Sequence, residues 1–551
     1  MDIKGKEVID IARRKFLKTS AVAALGVASA GCAASTGLVG GDASQGEGKQ
    51  QQSSACEGQY AFETAPEPIP ASKITETVTT DVVVVGAGVS GVIAALSAQE
   101  AGARTIVLQK GPVVMCHGTT FGAIDSKLQL EKKCHVDKMG AINEFQYQSL
   151  NKPKYQLLKK WADHSGETFD WINKITTEQG NPGKFLDKAG SPTGNTGGKS
   201  WFNAYSTGHT WKGGMMKVIN QVARKAIQKG VEFRFYTPAV QLVRKENGRV
   251  TGVIAKSEKT GQYKQFNARK GVILCTGDYS NNPDMVAKYC PSAVGLQNYY
   301  QPRYNTGDGH VMGLWIGAGI EQGPHTKMAH VHSSLDTGKG DAPSKGAPWL
   351  SVNHKGERFC NEDMPFFLMA NQTGGDQGDG YYYHILDADW EDNLKQFPPR
   401  IQMVGRPGEF EQALKAGTII QADTIEELAS RLGLPPSNLK ETVARYNELV
   451  KKGMDEDFGK DAIDLTFIKK APFYGIPRLA CVSVVLGGLN INSNMQVLDT
   501  EGEVIPGLYA AGNASGDFFG GANDYPFPII AISVGRAGTF GRLAGKHAAA
   551  A

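Results

Sequence analysis

Paired cysteines, excess charge of either sign and long hydrophobic runs are all missing from this sequence. The eight cysteines (Cys32, Cys56, Cys116, Cys134, Cys275, Cys290, Cys360 and Cys481) are scattered and form no C-x-x-C pair. That excludes a zinc ribbon, an iron–sulfur run and a C-x-x-C-H haem attachment. Buried free thiols are the expected state. The formal net charge is only +4. Residues 1–32 carry six basic and three acidic side chains, so the rest of the chain is close to balance. Such a charge gives no argument for a nucleic-acid partner. The apolar run near the N-terminus, Thr19 to Ala30, is too short to span a membrane as a helix. Basic residues are also missing locally. There is no Arg, Lys or His between Leu479 and Gly535, and no Arg between Phe359 and Pro399.

What remains is a chain of 551 residues, long enough for more than one domain. Its 67 glycines exceed ordinary usage and point to tight turns or close backbone approach to a ligand. Arg13-Arg14 precede Phe16-Leu17-Lys18 and a weakly apolar, small-residue run. This resembles a twin-arginine export signal over residues 1–32. The expectation is export of the folded protein by the twin-arginine translocase to a periplasmic or other extracytoplasmic site. An amphipathic N-terminal helix is the alternative. Cys32, after "VASAG", is a candidate lipid-attachment residue that would anchor the chain to a membrane. Cleavage near Ala30 is the other reading. Residues 33–75, rich in Ala, Ser, Gly and Gln, read as a flexible linker.

Strand and helix signals then alternate. "DVVVVGAG" is a continuous apolar strand of the kind buried on both faces of a parallel sheet. The pattern predicts a helix from Ser90 to Ala101, a second strand at "TIVLQ" and a helix from Met215 to Lys229. A β-meander follows, ending in the core strand "GVILCTG". Residues 330–483 differ in texture, with "TGGDQGDG", "YYYH" and helices over Thr424–Leu432 and Pro436–Lys451. They read as an inserted domain. A closing helix spans Ile530–Ala549.

Gly86, Gly88 and Gly91 form G-x-G-x-x-G between that first strand and its helix. Gly86 permits the tight turn, Gly88 lets the backbone approach a pyrophosphate, and Gly91 lets helix and strand pack closely. The phosphates would sit on the helix N-terminus. Gln109 ends the second strand, where a dinucleotide unit normally places an acid. Its side-chain carbonyl can still accept a ribose hydroxyl, more weakly than a carboxylate would. The alternative is a strand-end residue with the ribose held by backbone.

Several further segments, in order, resemble the flavoprotein subunits of the fumarate reductase and succinate dehydrogenase superfamily. They are "HGTTFGAI" (His117 to Ile124), "GVILCTGDYSNNPDM", "NTGDGHVMG", "GERFCNED" and "IPGLYAAGNASGDFFGGAN". The resemblance runs from about Thr77 to Lys546. It implies an α/β fold: a Rossmann-like FAD-binding domain (residues 76–327 and 484–551) with an inserted α+β capping domain (328–483). It implies non-covalent FAD, held by Gly86, Ala87, Gly88, Ser90, Gly91, Gln109 and Lys110. From the first of these segments come His117, Gly118, Thr119, Thr120, Gly122, Ala123 and Ile124. Further contacts fall at Ala239, Val240, Thr276, Gly277, Asp278, Asp308, Gly512, Asn513, Ile529 and Ile530. Asp278 stands where the family has Gly, and Asn513 where Glu is usual.

The basic residues that clamp a dicarboxylate in fumarate-type members have no counterpart here. Phe366, Asp524 and Val484 stand at or beside those places, and only His332, with His330 beside it, matches a substrate histidine. A buried dicarboxylate without a cation pays a large desolvation cost. The expected chemistry is therefore reduction of an activated C=C bond in an apolar or aromatic small molecule. Tyr525 would be the proton donor and His332 the second catalytic residue; His330, Phe366, Val484 and Asp524 would line the substrate. Without haem or iron–sulfur motifs, electrons would come from a multihaem or membrane cytochrome. A ketosteroid-like desaturase, a carboxylate-reducing enzyme of the fumarate type and a non-catalytic flavin carrier are the rival readings.

Overall fold

The computed structural model describes residues 60–186, 195–196, 199–200, 205–300, 304–333, 342–364, 368–369, 371–372, 380–398, 408–521 and 528–551. The chain divides into Met1–Pro66 and Glu67–Ala551. The described part of the first unit holds one short 3-10 turn, Ala61–Glu63. Everything below concerns the second unit.

Its larger sheet has eight strands. The strand Ile74–Val85 lies at the centre, parallel to Thr105–Leu108 on one side and to Tyr263–Leu274 on the other. Val504–Ala510 and Glu232–Arg234 extend it, also in parallel. Val82, Val83 and Val84 are fully buried, which is why this stretch reads as an unbroken apolar run rather than an alternating one. The expected meander is present: Ala239–Arg244, Val250–Lys256 and Tyr263–Leu274 pair antiparallel in sequence. The third of these then enters the parallel core, pairing Leu274 with Val85 and with Ala510.

The helix Val89–Glu100 packs along the closing helix Ile532–Ala550. Glycines set that distance. A Cβ on Gly541 would lie 2.4 Å from the Ser90 carbonyl oxygen, and one on Gly545 2.3 Å from that of Ala94. Both helices fall within about two residues of the ranges read from sequence, as do Gly214–Gln228, Ile425–Leu432 and Pro436–Lys452.

A second sheet of six strands is built around Phe473–Leu486. That strand pairs antiparallel with Thr326–His332, Tyr381–Leu386 and Ile420–Ala422, and parallel with Gln297–Asn298. The helices Ile425–Leu432 and Pro436–Lys452 contribute Leu428, Leu439, Val443 and Tyr446 to a core with Leu350, Val352 and Ile385. Arg358 and Glu362 of "GERFCNED" are held inside this region. The Arg358 guanidinium meets Glu362 at 2.8 Å and Asp455 at 2.7 Å. The six described cysteines are free; Cys275, Cys290, Cys360 and Cys481 are buried, whereas Cys116 and Cys134 are half-buried. Among the described residues no helix is long and apolar enough to cross a membrane.

Candidate functional site

The glycine-rich turn lies where the central strand ends. Gly86 has φ +103°, and a Cβ there would meet the Cys275 carbonyl oxygen at 2.2 Å. A Cβ on Gly91 would come within 1.9 Å of the Gly86 oxygen. These two glycines are required by packing. Gly88 differs: its backbone is extended, and the nearest atom to an added Cβ is the Met115 oxygen at 3.7 Å. Gly88 therefore faces space. No side chain caps the helix that begins at Val89, so its first N–H groups and the positive end of its dipole remain for an anion.

The space is a cleft lined by Gly86 to Ser90, Gln109, Lys110, His117, Gly118, Thr276 to Asp278, Gly512 and Asn513. Gln109 is buried. Its side-chain oxygen accepts from the Ala87 N–H at 3.2 Å, and its Nε2 donates to the Val113 carbonyl at 3.0 Å. The residue thus braces the phosphate turn from below while lining the cleft. Lys110 Nζ is held by Asp308 Oδ2 at 2.8 Å and Thr306 Oγ1 at 2.7 Å.

Asp278 is fully buried in the cleft wall. Its oxygens accept from the Ser280 N–H and from Asn305 Nδ2, each at 2.8 Å. Burial pushes its carboxyl up to about 6, against the lowering effect of these donors and of the Asn513 amide. Asn513 Oδ1 in turn accepts from Arg536 Nη2 at 2.9 Å. The amide therefore stands between a buried acid and a buried guanidinium, with its orientation set by both. Arg536 also donates to the Gly512 carbonyl at 2.7 Å.

The rest of the wall includes His117, Tyr300, Met328, Ser483 and Val484. Met328 and Val484 are register partners in the second sheet. The His117 ring stacks flat on Tyr300, with centroids 4.0 Å apart and planes 5° apart. Burial holds the His117 imidazole down at about 4, so it is neutral at pH 7. Lys110 is the one Lys or Arg among the described lining residues.

The remaining expected site residues lie elsewhere. His332 is buried and His330 half-buried on the strand Thr326–His332. His332 stacks on Tyr299 at 3.8 Å, and neither histidine is among the cleft-lining side chains. Asp308 and Ala239 border a small adjoining recess with Gln109 and Lys110. Val240 follows on the strand Ala239–Arg244. Thr119 and Thr120 bond each other at 3.3 Å. Gly122, Ala123 and Ile124 direct their N–H groups to Ala531 O, Thr207 O and Ser165 Oγ. Ile529 is buried, and Ile530 accepts from Thr207 at 2.6 Å. Phe366, Asp524 and Tyr525 lie outside the described residues. Sequence reasoning missed Tyr300, Tyr304, Asn305, Met328 and Ser533 to Val534 in the wall. Only Tyr304 and Asn305 carried a signal, as neighbours of the Thr306–Gly309 segment.

The family described as FAD binding domain matches residues 81–526. A vinyl phenol reductase from Lactiplantibacillus plantarum is 29% identical over 503 residues, covering 85% of this chain and 96% of that protein. A fumarate reductase (cytochrome) from Shewanella frigidimarina is 28% identical over 490 residues, covering 86% and 77%. The solved open conformation of a flavocytochrome c3 fumarate reductase has a TM-score of 0.69 at 23% identity, over 91% of this chain and 84% of that one. That last likeness is one of fold. With its uncapped helix and its open Gly88 facing the cleft, the chain belongs to the FAD binding domain family within the fumarate reductase and succinate dehydrogenase flavoprotein superfamily, an oxidoreductase whose cofactor is FAD.

Proposed function

We propose that this chain reduces an activated C=C bond in a neutral apolar or aromatic small molecule. One observation carries this reading. Apart from Lys110, the described wall offers a neutral His117, Tyr300, Met328, Ser483 and Val484, and no Lys or Arg. The one lining cation, Lys110, lies by the turn and is paired with Asp308. A carboxylate buried against that wall has no ionic partner to offset its desolvation, whereas a flat aromatic ring fits against stacked rings. The vinyl phenol reductase among the relatives supports the same substrate class.

Bound FAD supplies the hydride chemistry of such a reduction. The chain's own residues bind, orient and protect. The uncapped helix at Val89 holds the pyrophosphate. Asp278, Asn513 and Arg536 fix a polar wall whose hydrogen bonds are already made, so little reorganisation accompanies reaction. Met328 and Val484 keep water from one side of the substrate.

In the same reading the enzyme works outside the cytoplasm, exported through the Arg13-Arg14 signal, and receives electrons from a cytochrome. The fumarate reductase (cytochrome) relative supports such a donor. The test of substrate class is anaerobic. The purified holoprotein is reduced with dithionite, and flavin reoxidation is followed with a vinyl phenol, a neutral enone, acrylate and fumarate. Neutral alkenes should reoxidise it fastest; fumarate at an equal or higher rate overturns the reading. Replacing Arg13 and Arg14 by Lys should leave the protein in the cytoplasmic fraction, and unchanged export would count against the signal.

A further inference from the structure

We propose that Tyr300 is a catalytic residue, the side chain whose hydroxyl gives the substrate its proton. The role rests on the C=C reduction proposed above.

The argument begins with position. Tyr300 lines the cleft together with His117, Met328, Ser483 and Val484. Its backbone is tied to the second sheet. The Tyr299 N–H donates to the Val482 carbonyl at 2.9 Å, and the Tyr300 N–H to Asn298 Oδ1 at 3.0 Å. Asn298 itself pairs in register with Val482. The ring is fixed from the other side by its flat stack on His117. Both tyrosines of the pair are thus clamped by an imidazole: Tyr300 by His117 and Tyr299 by His332. A donor held on two sides has the fixed geometry that proton transfer needs.

Chemistry comes next. Burial pushes the phenol up to about 12, so it carries its hydrogen at pH 7, while the Gly118 backbone beside it favours the phenolate left after transfer. The other candidates lining the described cleft are poorer. His117 is neutral. Both oxygens of Asp278 already accept from fixed donors. Tyr304 lies beside Lys110 and against Gly111, by the phosphate turn.

The step balances simply. The π bond of the alkene breaks. One carbon gains a hydride, with its two electrons, from the reduced cofactor; the other gains the Tyr300 proton, and the phenolate recovers its proton from water at the cleft mouth. The electrons originate in the external reductant, dithionite in the test below.

Tyr300→Phe keeps the ring and its stack while removing the hydroxyl. It should retain FAD, and a saturated product analogue should perturb its flavin spectrum with an unchanged Kd. Reoxidation of its dithionite-reduced flavin by the best alkene of the wild type should fall roughly 100-fold or more, the range of general acid catalysis. Reoxidation by ferricyanide, which needs no donated proton, should stay within threefold. Tyr525→Phe should lose far less. Alkene rates within threefold of wild type overturn the role. So does an equal loss with ferricyanide, which marks a structural fault, and so does a loss confined to Tyr525→Phe. A wild type whose reduced flavin no alkene reoxidises overturns the reading of the enzyme itself, and this role with it.

Discussion

Gln109 shows how one side chain can serve a ligand site through the protein. Its amide uses both ends, accepting from Ala87 and donating to Val113. A carboxylate can repeat only the first. Gln109→Glu should retain FAD but leave the Val113 carbonyl facing an oxygen, at a cost on the order of 1–3 kcal/mol. The checking measurement is the thermal midpoint of the apoprotein. An unchanged midpoint with lost FAD would mean that Gln109 acts on the ligand directly. Asp278 yields a second prediction at this scale. Burial raises its carboxyl from 3.8 to about 6, and burial, with the nearby Asp517 charge, raises Glu321 to about 8. Between pH 4 and 6 the folded apoprotein keeps a proton on Asp278 that the unfolded chain has released. Stability therefore falls as pH rises through that window, by on the order of 3 kcal/mol for Asp278. The urea midpoint of Asp278→Asn should lose the Asp278 share of the slope between pH 4 and 6, keep the shares there of Asp363 and of Glu321, whose window opens at 4.5, and keep the slope between pH 6 and 8 that belongs to Glu321. A variant with the wild-type slope throughout would remove Asp278 as its source.

At the scale of elements, the strand–turn–helix at Val82–Glu100 was legible because everything it needs is local. The apolar run, the glycine spacing and the helical period lie within twenty or so residues, and the observed elements follow them. The same turn separates two glycine roles. Gly91→Ala places a Cβ 1.9 Å from the Gly86 oxygen and should destabilise the apoprotein severely. Gly88→Ala meets nothing closer than 3.7 Å and should leave its thermal midpoint within about a degree or two, a surface-like effect. FAD affinity should nevertheless fall at least tenfold, since the methyl occupies the approach of the phosphates. Equal affinity in Gly88→Ala and wild type would place the phosphates elsewhere. The contacts that join the cleft walls were not legible. Asn513 reaches Asp278 across more than two hundred residues, and Tyr300 stacks on His117 from a segment with no motif. Neither contact leaves a local pattern in the sequence: the first joins the ends of two neighbouring strands of the larger sheet, Tyr263–Leu274 and Val504–Ala510, and the second is made by the meeting of two sheets.

At the scale of the whole molecule, that meeting has a measurable consequence. The cleft takes its phosphate turn, Gln109 and Asp278 from around the larger sheet, and Met328, Ser483 and Val484 from the second. A cofactor that fills the whole cleft touches both layers at once, and its binding energy is then shared between them. A ligand at one hundred times its Kd stabilises the state that binds it by about 2.7 kcal/mol. If that state requires both sheets in place, adding FAD to the apoprotein should slow amide hydrogen exchange in two separate places. One is the helix Val89–Glu100, directly over the phosphates. The other is the paired strands Thr326–His332 and Phe473–Leu486, whose sequence carries no nucleotide motif. The size of the effect should be similar in both, because exchange from each needs the same opening of the holoprotein. Protection confined to Val89–Glu100 would mean that FAD is held by the larger sheet alone. The Met328–Val484 wall would then belong to the substrate, and its strands should gain protection only when a neutral alkene or its saturated product is added.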